Sequence, residues 1–207
     1  MTPSTRRFTP PIPNGWFVVA TSEELAPGTV KPLHYFGKEL VVFRSSSGQV
    51  AVLDAYCPHL GAHLGHGGKV DGDELVCPFH SWRFDVRGEL TSVPYAKRLP
   101  QKAKMPCWSV KELAGLVFVW HHALGAAPEW DIPESVPEYD SDEWSDYFTH
   151  VTELRSNNLD MAENQVDSAH FHYVHGAKNL PQSEGAVDGA IMRVTSKTLM
   201  ETPMGDV

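Results

Sequence analysis

The residues best placed to do chemistry are two short pairs, Cys57-x-His59 and Cys77-x-x-His80, each opening on a Cys-Pro dipeptide. A structural zinc site commonly presents two cysteines on one turn and two histidines on another. Here each stretch carries one of each kind. Two such loops can place both thiolates on one metal and both imidazoles on a second, provided inorganic sulfide bridges the metals. Neutral imidazoles leave such a centre less negative than four thiolates would, so its potential lies at roughly −150 to +300 mV against about −400 mV for an all-cysteine cluster. Its chemistry is electron relay, and the outer N–H of each imidazole can couple that transfer to a proton. Zinc held by the same four residues is the alternative that the spacing leaves open.

A second constellation lies in "ENQVDSAHFHYVH", residues 163–175, as Asp167-x-x-His170-x4-His175. On a helix Asp167 and His170 share a face. Five residues at about 100° each turn His175 roughly 140° away from His170, so a regular helix cannot aim both at one ion. The helix must end near His170 or contain a π-type turn, and Gly176 is a suitable terminator. Two histidines and a carboxylate with open positions form the facial triad of non-haem Fe(II) oxygenases, which makes Asp167 a tempting third ligand. Glu163 and Asn164 lie one turn earlier, placed either to orient Asp167 or as polar groups on the helix surface. His172 points to another face. His34, His63, His66, His121, His122 and His150 lack ligand spacing and are read as ordinary polar residues, and Cys107 as a small packing residue.

The elements that must position these residues divide the chain. Up to about residue 122 it reads as short strands: "WFVVA" (16–20), "ELVVF" (39–43), "QVAVLDAY" (49–56), "ELVC" (74–77), "WRFDV" (82–86) and "GLVFVW" (115–120). "SSSGQ", "VDGDE" and "VRGEL" supply hairpin turns between them. Thr21 and Glu24 in "TSEEL" form a capping box that predicts one short helical turn. Residues 123–146 are rich in Pro and acid and are expected to be a surface linker. Beyond it "YFTHVTELRS" predicts a strand, the stretch from near Asn158 a helix, and "AIMRVTSKTLM" a further strand.

Bulk properties narrow the partners. A chain of 207 residues with net charge −9 is a poor ligand for nucleic acid. The one basic cluster, residues 96–104, is read as a solvated loop. Apolar runs are strand-sized, so no membrane span is expected, and the first residues lack the apolar region of a signal peptide, so the expected location is cytoplasmic. Three cysteines flanked by histidines in a reducing compartment fit metal ligation better than a disulfide framework.

Residues 57–90, "CPHLGAHLGHGGKVDGDELVCPFHSWRFDVRGEL", resemble the Rieske [2Fe–2S] domain of ring-hydroxylating oxygenases along their whole length. "VPYAKRLP", "GLVFVWHH", "DEWSDY" and "VDSAHFHYVH" are similar to the oxygenase components of 3-ketosteroid 9α-hydroxylases and, more loosely, to Rieske sterol oxygenases. The resemblance implies an α+β protein: an all-β Rieske domain (1–122), the linker (123–146) and the beginning of a helix-grip-like catalytic domain (147–207). It implies that Cys57, His59, Cys77 and His80 hold the cluster, with Trp82 nearby, and that His170 and His175 hold a mononuclear Fe(II). In that family the match of Asp167 is a bridge to a cluster histidine of the neighbouring subunit, matching His80; Asn164, one turn earlier, is placed to orient Asp167 or the iron's water. The activity implied is monooxygenation of a large apolar polycyclic ring of the steroid kind, a small-molecule substrate, with O2 as co-substrate. NADH supplies electrons through a separate reductase or ferredoxin, and the assembly is a head-to-tail homotrimer. The family's late carboxylate ligand has no match among Glu184, Asp188, Glu201 and Asp206, so the chain is expected to be a fragment of a longer protein. An electron carrier of the Rieske ferredoxin kind would fit residues 1–122 alone, and the Asp-His-His motif distinguishes the two.

Overall fold

The computed structural model describes residues 10–132, 136–139, 141–145, 148–199, 201–202 and 205–206. In it the run Leu40-Val41-Val42-Phe43 is buried at every side chain. A strand apolar on both faces needs a layer on each, and the surrounding strands supply them. In chain order these are β1 (Gly15–Thr21), β2 (Val30–Tyr35), β3 (Lys38–Arg44), β4 (Val50–Asp54), β5 (Lys69–Asp71), β6 (Glu74–Val76), β7 (Arg83–Phe84), β8 (Leu90–Ser92), β9 (Val110–Leu113) and β10 (Leu116–His121).

Three antiparallel sheets result, ordered β1-β10-β9, β2-β3-β4 and β5-β6-β7-β8. Leu40 and Val42 of β3 meet Val19, Val117 and Val119 of the first sheet. Val41 and Phe43 meet Leu75 and Phe84 of the third. The period of two along β3 thus assigns its residues to two cores in alternation. Pro32 sits within β2, which is tolerated because β2 is an edge strand. That proline is the reason β2 does not read as a strand, while β5, β8 and β9 are too short to announce themselves.

The capping box of Thr21 and Glu24 forms, with reciprocal bonds of 3.1 and 3.3 Å. It closes a turn without a helix. Residues 123–132 of the acidic segment are not a free linker. Trp120 and Trp130 meet edge to face with centroids 5.6 Å apart, the Trp16 indole donates to the Trp130 carbonyl at 3.0 Å, and Ile132 is buried. Two tryptophans and an isoleucine outweigh the acidic composition there. Contacts accordingly group residues 13–148 as one unit and place residues from 149 onward in another.

That second unit contains α1 (Asn158–Val166), α2 (Ser168–Tyr173) and the hairpin of β11 (Gln182–Asp188) with β12 (Ile191–Lys197). The strand expected in "YFTHVTELRS" does not form in its described residues, 148–156, where Phe148 and Val151 are 93% and 85% exposed. Asn157 starts α1 where the sequence places it, accepting the N–H groups of Leu159 and Asp160 at 3.0 Å each. β11 was not legible, being polar with a central glycine. None of the described helices is long and apolar enough to cross a membrane.

Candidate metal centres

Two loops of the same construction hold the first constellation. The Cys57 N–H donates to the carbonyl of Ala62 at 2.9 Å, and its own carbonyl accepts from Gly61 at 2.9 Å. Cys77 repeats the pattern with Trp82 at 2.8 Å and Ser81 at 3.1 Å. The residue four beyond each cysteine takes positive φ, 73° at Gly61 and 56° at Ser81. Glycine meets that demand without strain, and Ser81 does so against its steric preference. The histidine falls at the second position after cysteine in one loop and at the third in the other, so the shared backbone carries the two imidazoles to each other.

The side chains converge two and two. Nδ1 of His59 lies 3.2 Å from Nδ1 of His80. Two nitrogens held at about 2.0–2.1 Å on one tetrahedral ion stand roughly 3.3–3.4 Å apart, so this separation fits a shared metal. Cys57 and Cys77 are both buried and unpaired by any disulfide. Burial, aided by the adjacent Cys77 sulfur and opposed by the His59 backbone N–H, pushes the Cys57 thiol up to about 11. A buried sulfur pair without a cation beside it has reason to ionise only when a metal compensates the charge. Among the described residues no group of three His, Cys, Asp or Glu side chains is arranged around one ion. With two nitrogens meeting in one pair and two sulfurs in another, the donors fit a [2Fe–2S] cluster.

Packing around the pair fixes it. The Trp82 indole stacks on His59 at 4.5 Å with planes 8° apart, and its Nε1–H donates to the Tyr95 hydroxyl at 2.8 Å. Tyr95 had no sequence signal, since only the fold brings residue 95 to residue 82. His63, read as a plain loop residue, braces the first loop. Its Nδ1 accepts the Gly65 N–H at 3.1 Å, and its Nε2 lies 3.5 Å from Glu39, whose other oxygen meets His34 at 2.6 Å. The His34 hydrogen bond holds the Glu39 carboxyl below its usual range. His34 and Glu39 face each other across the β2–β3 pairing. Cys107 is on the surface, not in the core, its thiol 3.5 Å from the Val86 carbonyl.

In the second unit the helix breaks at Asp167, three residues before the expected point. Asp167 ends α1 with an extended backbone, and its carboxylate caps α2 by accepting the Ala169 N–H at 3.1 Å. This is why a single long helix fails: the Asp side chain offers the next N–H an alternative partner. The π-type turn is present at the other end, where the His175 N–H reaches back five residues to the His170 carbonyl at 3.3 Å. Gly176, at φ 72°, turns the chain away. His170 and His175 are thereby brought to ring centroids 5.1 Å apart. The His170 Nδ1–H donates to the Asp167 carbonyl at 2.6 Å, which leaves Nε2 with a free lone pair for a metal. Asp167, Glu163 and Asn164 are exposed. His172 turns away, its Nδ1 2.5 Å from the Ala177 carbonyl.

This arrangement is that of a Rieske protein, and the sequence comparisons agree. Residues 15–108 match the Rieske [2Fe-2S] domain and residues 119–203 the 3-ketosteroid 9alpha-hydroxylase C-terminal domain. The chain belongs to the Rieske oxygenases. It is 39% identical over 194 residues to the cholesterol 7-desaturase of Xenopus laevis, covering 93% of this chain and 41% of that protein. It is 40% identical over 164 residues to a 3-ketosteroid-9-alpha-monooxygenase oxygenase component of Rhodococcus rhodochrous, covering 78% of this chain and 41% of that one. The chain thus spans about two fifths of the length of these curated relatives. Among solved structures, dicamba monooxygenase bound to dicamba shares the fold, with a TM-score of 0.66 and 23% identity over 89% of this chain and 58% of that one.

Proposed function

We propose that this protein is the terminal oxygenase component of a Rieske-type oxygenase that oxidises a C–H bond of a steroid-like polycyclic substrate with O2. NADH supplies the electrons through a separate reductase or ferredoxin. The observation that carries this reading is the presence of two distinct histidine pairs. His59 and His80 converge beside a buried cysteine pair, whereas His170 and His175 converge alone with the His170 Nε2 free. An electron carrier needs only the first pair. The steroid class rests on the names of the relatives, which divide between 9α-monooxygenation and 7-desaturation.

When bound, the cluster supplies single electrons and the mononuclear iron supplies the site at which O2 is used. The chain's own residues prepare both. Cys57 and Cys77 give up their thiol protons on loading, and burial keeps water from the sulfurs. Trp82 fixes the plane of the His59 ring. His170 keeps its Nδ1 proton on the Asp167 carbonyl, so the tautomer suited to metal is the one held. The carboxylate of Asp167 is engaged in capping α2, which supports a bridging or positioning role over metal ligation. In the assembly we propose, a head-to-tail homotrimer, Asp167 of one subunit serves the partner's cluster histidine. Asn164 supports it from the preceding turn.

Iron and acid-labile sulfide measured on the same preparation test the assignment. A cluster alone gives equal iron and sulfide. The expected result is iron in excess of sulfide, with the excess lost in His170→Ala and His175→Ala and the Rieske EPR signal kept. Equal iron and sulfide in the unaltered protein would leave the electron-carrier reading or an oxygenase chain lacking its third iron ligand. Product mass then separates hydroxylation from desaturation of a steroid.

A further inference from the structure

The segment 94–104, "PYAKRLPQKAK", carries four of the chain's 17 basic residues and no acidic one, on a protein of net charge −9. It projects between two core anchors, Val93 and Met105, which are 5% and 0% exposed. Lys104 is tied to Glu89. Among the described residues Lys97, Arg98 and Lys102 make no ion pair, and all three are exposed. Two exposed apolar side chains stand among them, Tyr95 at 63% and Leu99 at 42%. The position of this patch gives it meaning. The Tyr95 hydroxyl accepts from Trp82 at 2.8 Å, and Trp82 lies flat on His59 at 4.5 Å. A continuous contact path runs from the basic surface to a candidate cluster ligand.

We propose that segment 94–104 is the docking surface for an acidic, one-electron carrier protein, and that electrons enter the cluster from the Tyr95–Trp82–His59 side. The inference rests on the Rieske reading above. In the transfer one electron leaves the reduced carrier, which is oxidised by one electron, and the cluster is reduced by one. No bond forms or breaks. Charge complementarity argues for an acidic occupant: a local cationic patch steers an anionic partner onto one face of a protein whose overall charge would repel it. Tyr95 and Leu99 then supply an apolar centre within a polar rim.

The test uses the cluster-loaded chain and a reduced plant-type [2Fe–2S] ferredoxin, an acidic carrier, as the probe in stopped-flow measurements. The second-order rate of cluster reduction is expected to fall steeply as salt rises over roughly 20 to 300 mM, because the attraction is screened. Lys97→Glu/Arg98→Glu/Lys102→Glu is expected to slow reduction about tenfold or more at low salt and to reverse the salt dependence. The charge-matched control Arg155→Glu/Arg193→Glu/Lys197→Glu is expected to stay within about threefold of the unaltered protein. A rate that is flat or rises with salt in the unaltered protein overturns the proposal, and needs no variant to be read. So does a control that slows as much as the patch variant. Binding to phosphatidylserine vesicles that the patch variant lacks, with unchanged reduction rates, would assign the patch to a membrane surface and also overturn it. Absence of a Rieske EPR signal in the unaltered protein would instead sink the functional reading. A normal signal with insensitive rates would sink the docking surface alone.

Discussion

Ser81 and Gly61 occupy the same point in two matching loops, yet one has a side chain at φ 56° and the other none at φ 73°. No atom lies within 4 Å of where a Gly61 Cβ would stand. The cost of Gly61→Ala is therefore conformational alone, about 1–2 kcal/mol, and a matching loss of thermal stability of the loaded protein is expected. Ser81→Gly removes the same strain from the second loop, so it is expected to retain full iron and sulfide. Trp82 is a heavier dependence. It is 7% exposed and covers His59, and Trp82→Ala is expected to cost about 3–5 kcal/mol in denaturant unfolding. Tyr95→Phe removes only the hydroxyl that Trp82 donates to, and a shift in the reduction potential with unchanged melting would mark Tyr95 as positioning the indole.

Between elements, one polar contact joins two sheets. Arg44 at the end of β3 donates to Glu112 of β9 through both terminal nitrogens, at 3.1 and 2.6 Å, while its Nε donates to the Leu25 carbonyl. The Arg44 side chain is 11% exposed and that of Glu112 36%. The Arg44 hydrogen bond holds the Glu112 carboxyl below its usual range of 4.5. A carboxyl with a depressed folded value contributes stability that is present above the unfolded value and lost as pH falls through the folded one. Lowering the pH from neutral toward the acid side of 4.5 is thus expected to reduce the melting temperature of the unaltered protein more than that of Glu112→Gln. At neutral pH the variant is the less stable of the two. Equal acid sensitivity would show that the pair contributes little through solvent screening.

At the scale of the whole molecule, the two units differ in how their apolar surface is covered. Residues 13–148 bury two cores, while α1 buries none of its residues and both strands of the β11–β12 hairpin are exposed throughout. Residues 13–148 expressed alone are expected to load the cluster and show the Rieske EPR signal, since a domain with its own core folds independently. Limited proteolysis of the whole chain is expected to cut within residues 149–199 before it cuts within residues 13–122.

The cluster loops were legible because ligand chemistry is written in residue type and short spacing, and Cys57, His59, Cys77 and His80 satisfy both. So were the long apolar strands at residues 39–43 and 115–120, whose periodicity needs no partner to be read. β2 was hidden by Pro32, and the docked segment 123–132 by its acids, because an edge position and a tryptophan cluster are properties of neighbours. The helix near Asn158 was visible from its cap, but whether Asp167 would continue it or cap a second helix depended on a competition between side chain and backbone that sequence leaves even. By itself the sequence determined which donors exist and that they mix sulfur with nitrogen. Only the tertiary structure decided that cysteine meets cysteine and histidine meets histidine, that Trp82 covers His59, and that Tyr95 carries a basic surface to it. Those outcomes depend on directions in space between residues tens of positions apart, which packed sheets fix and local spacing does not.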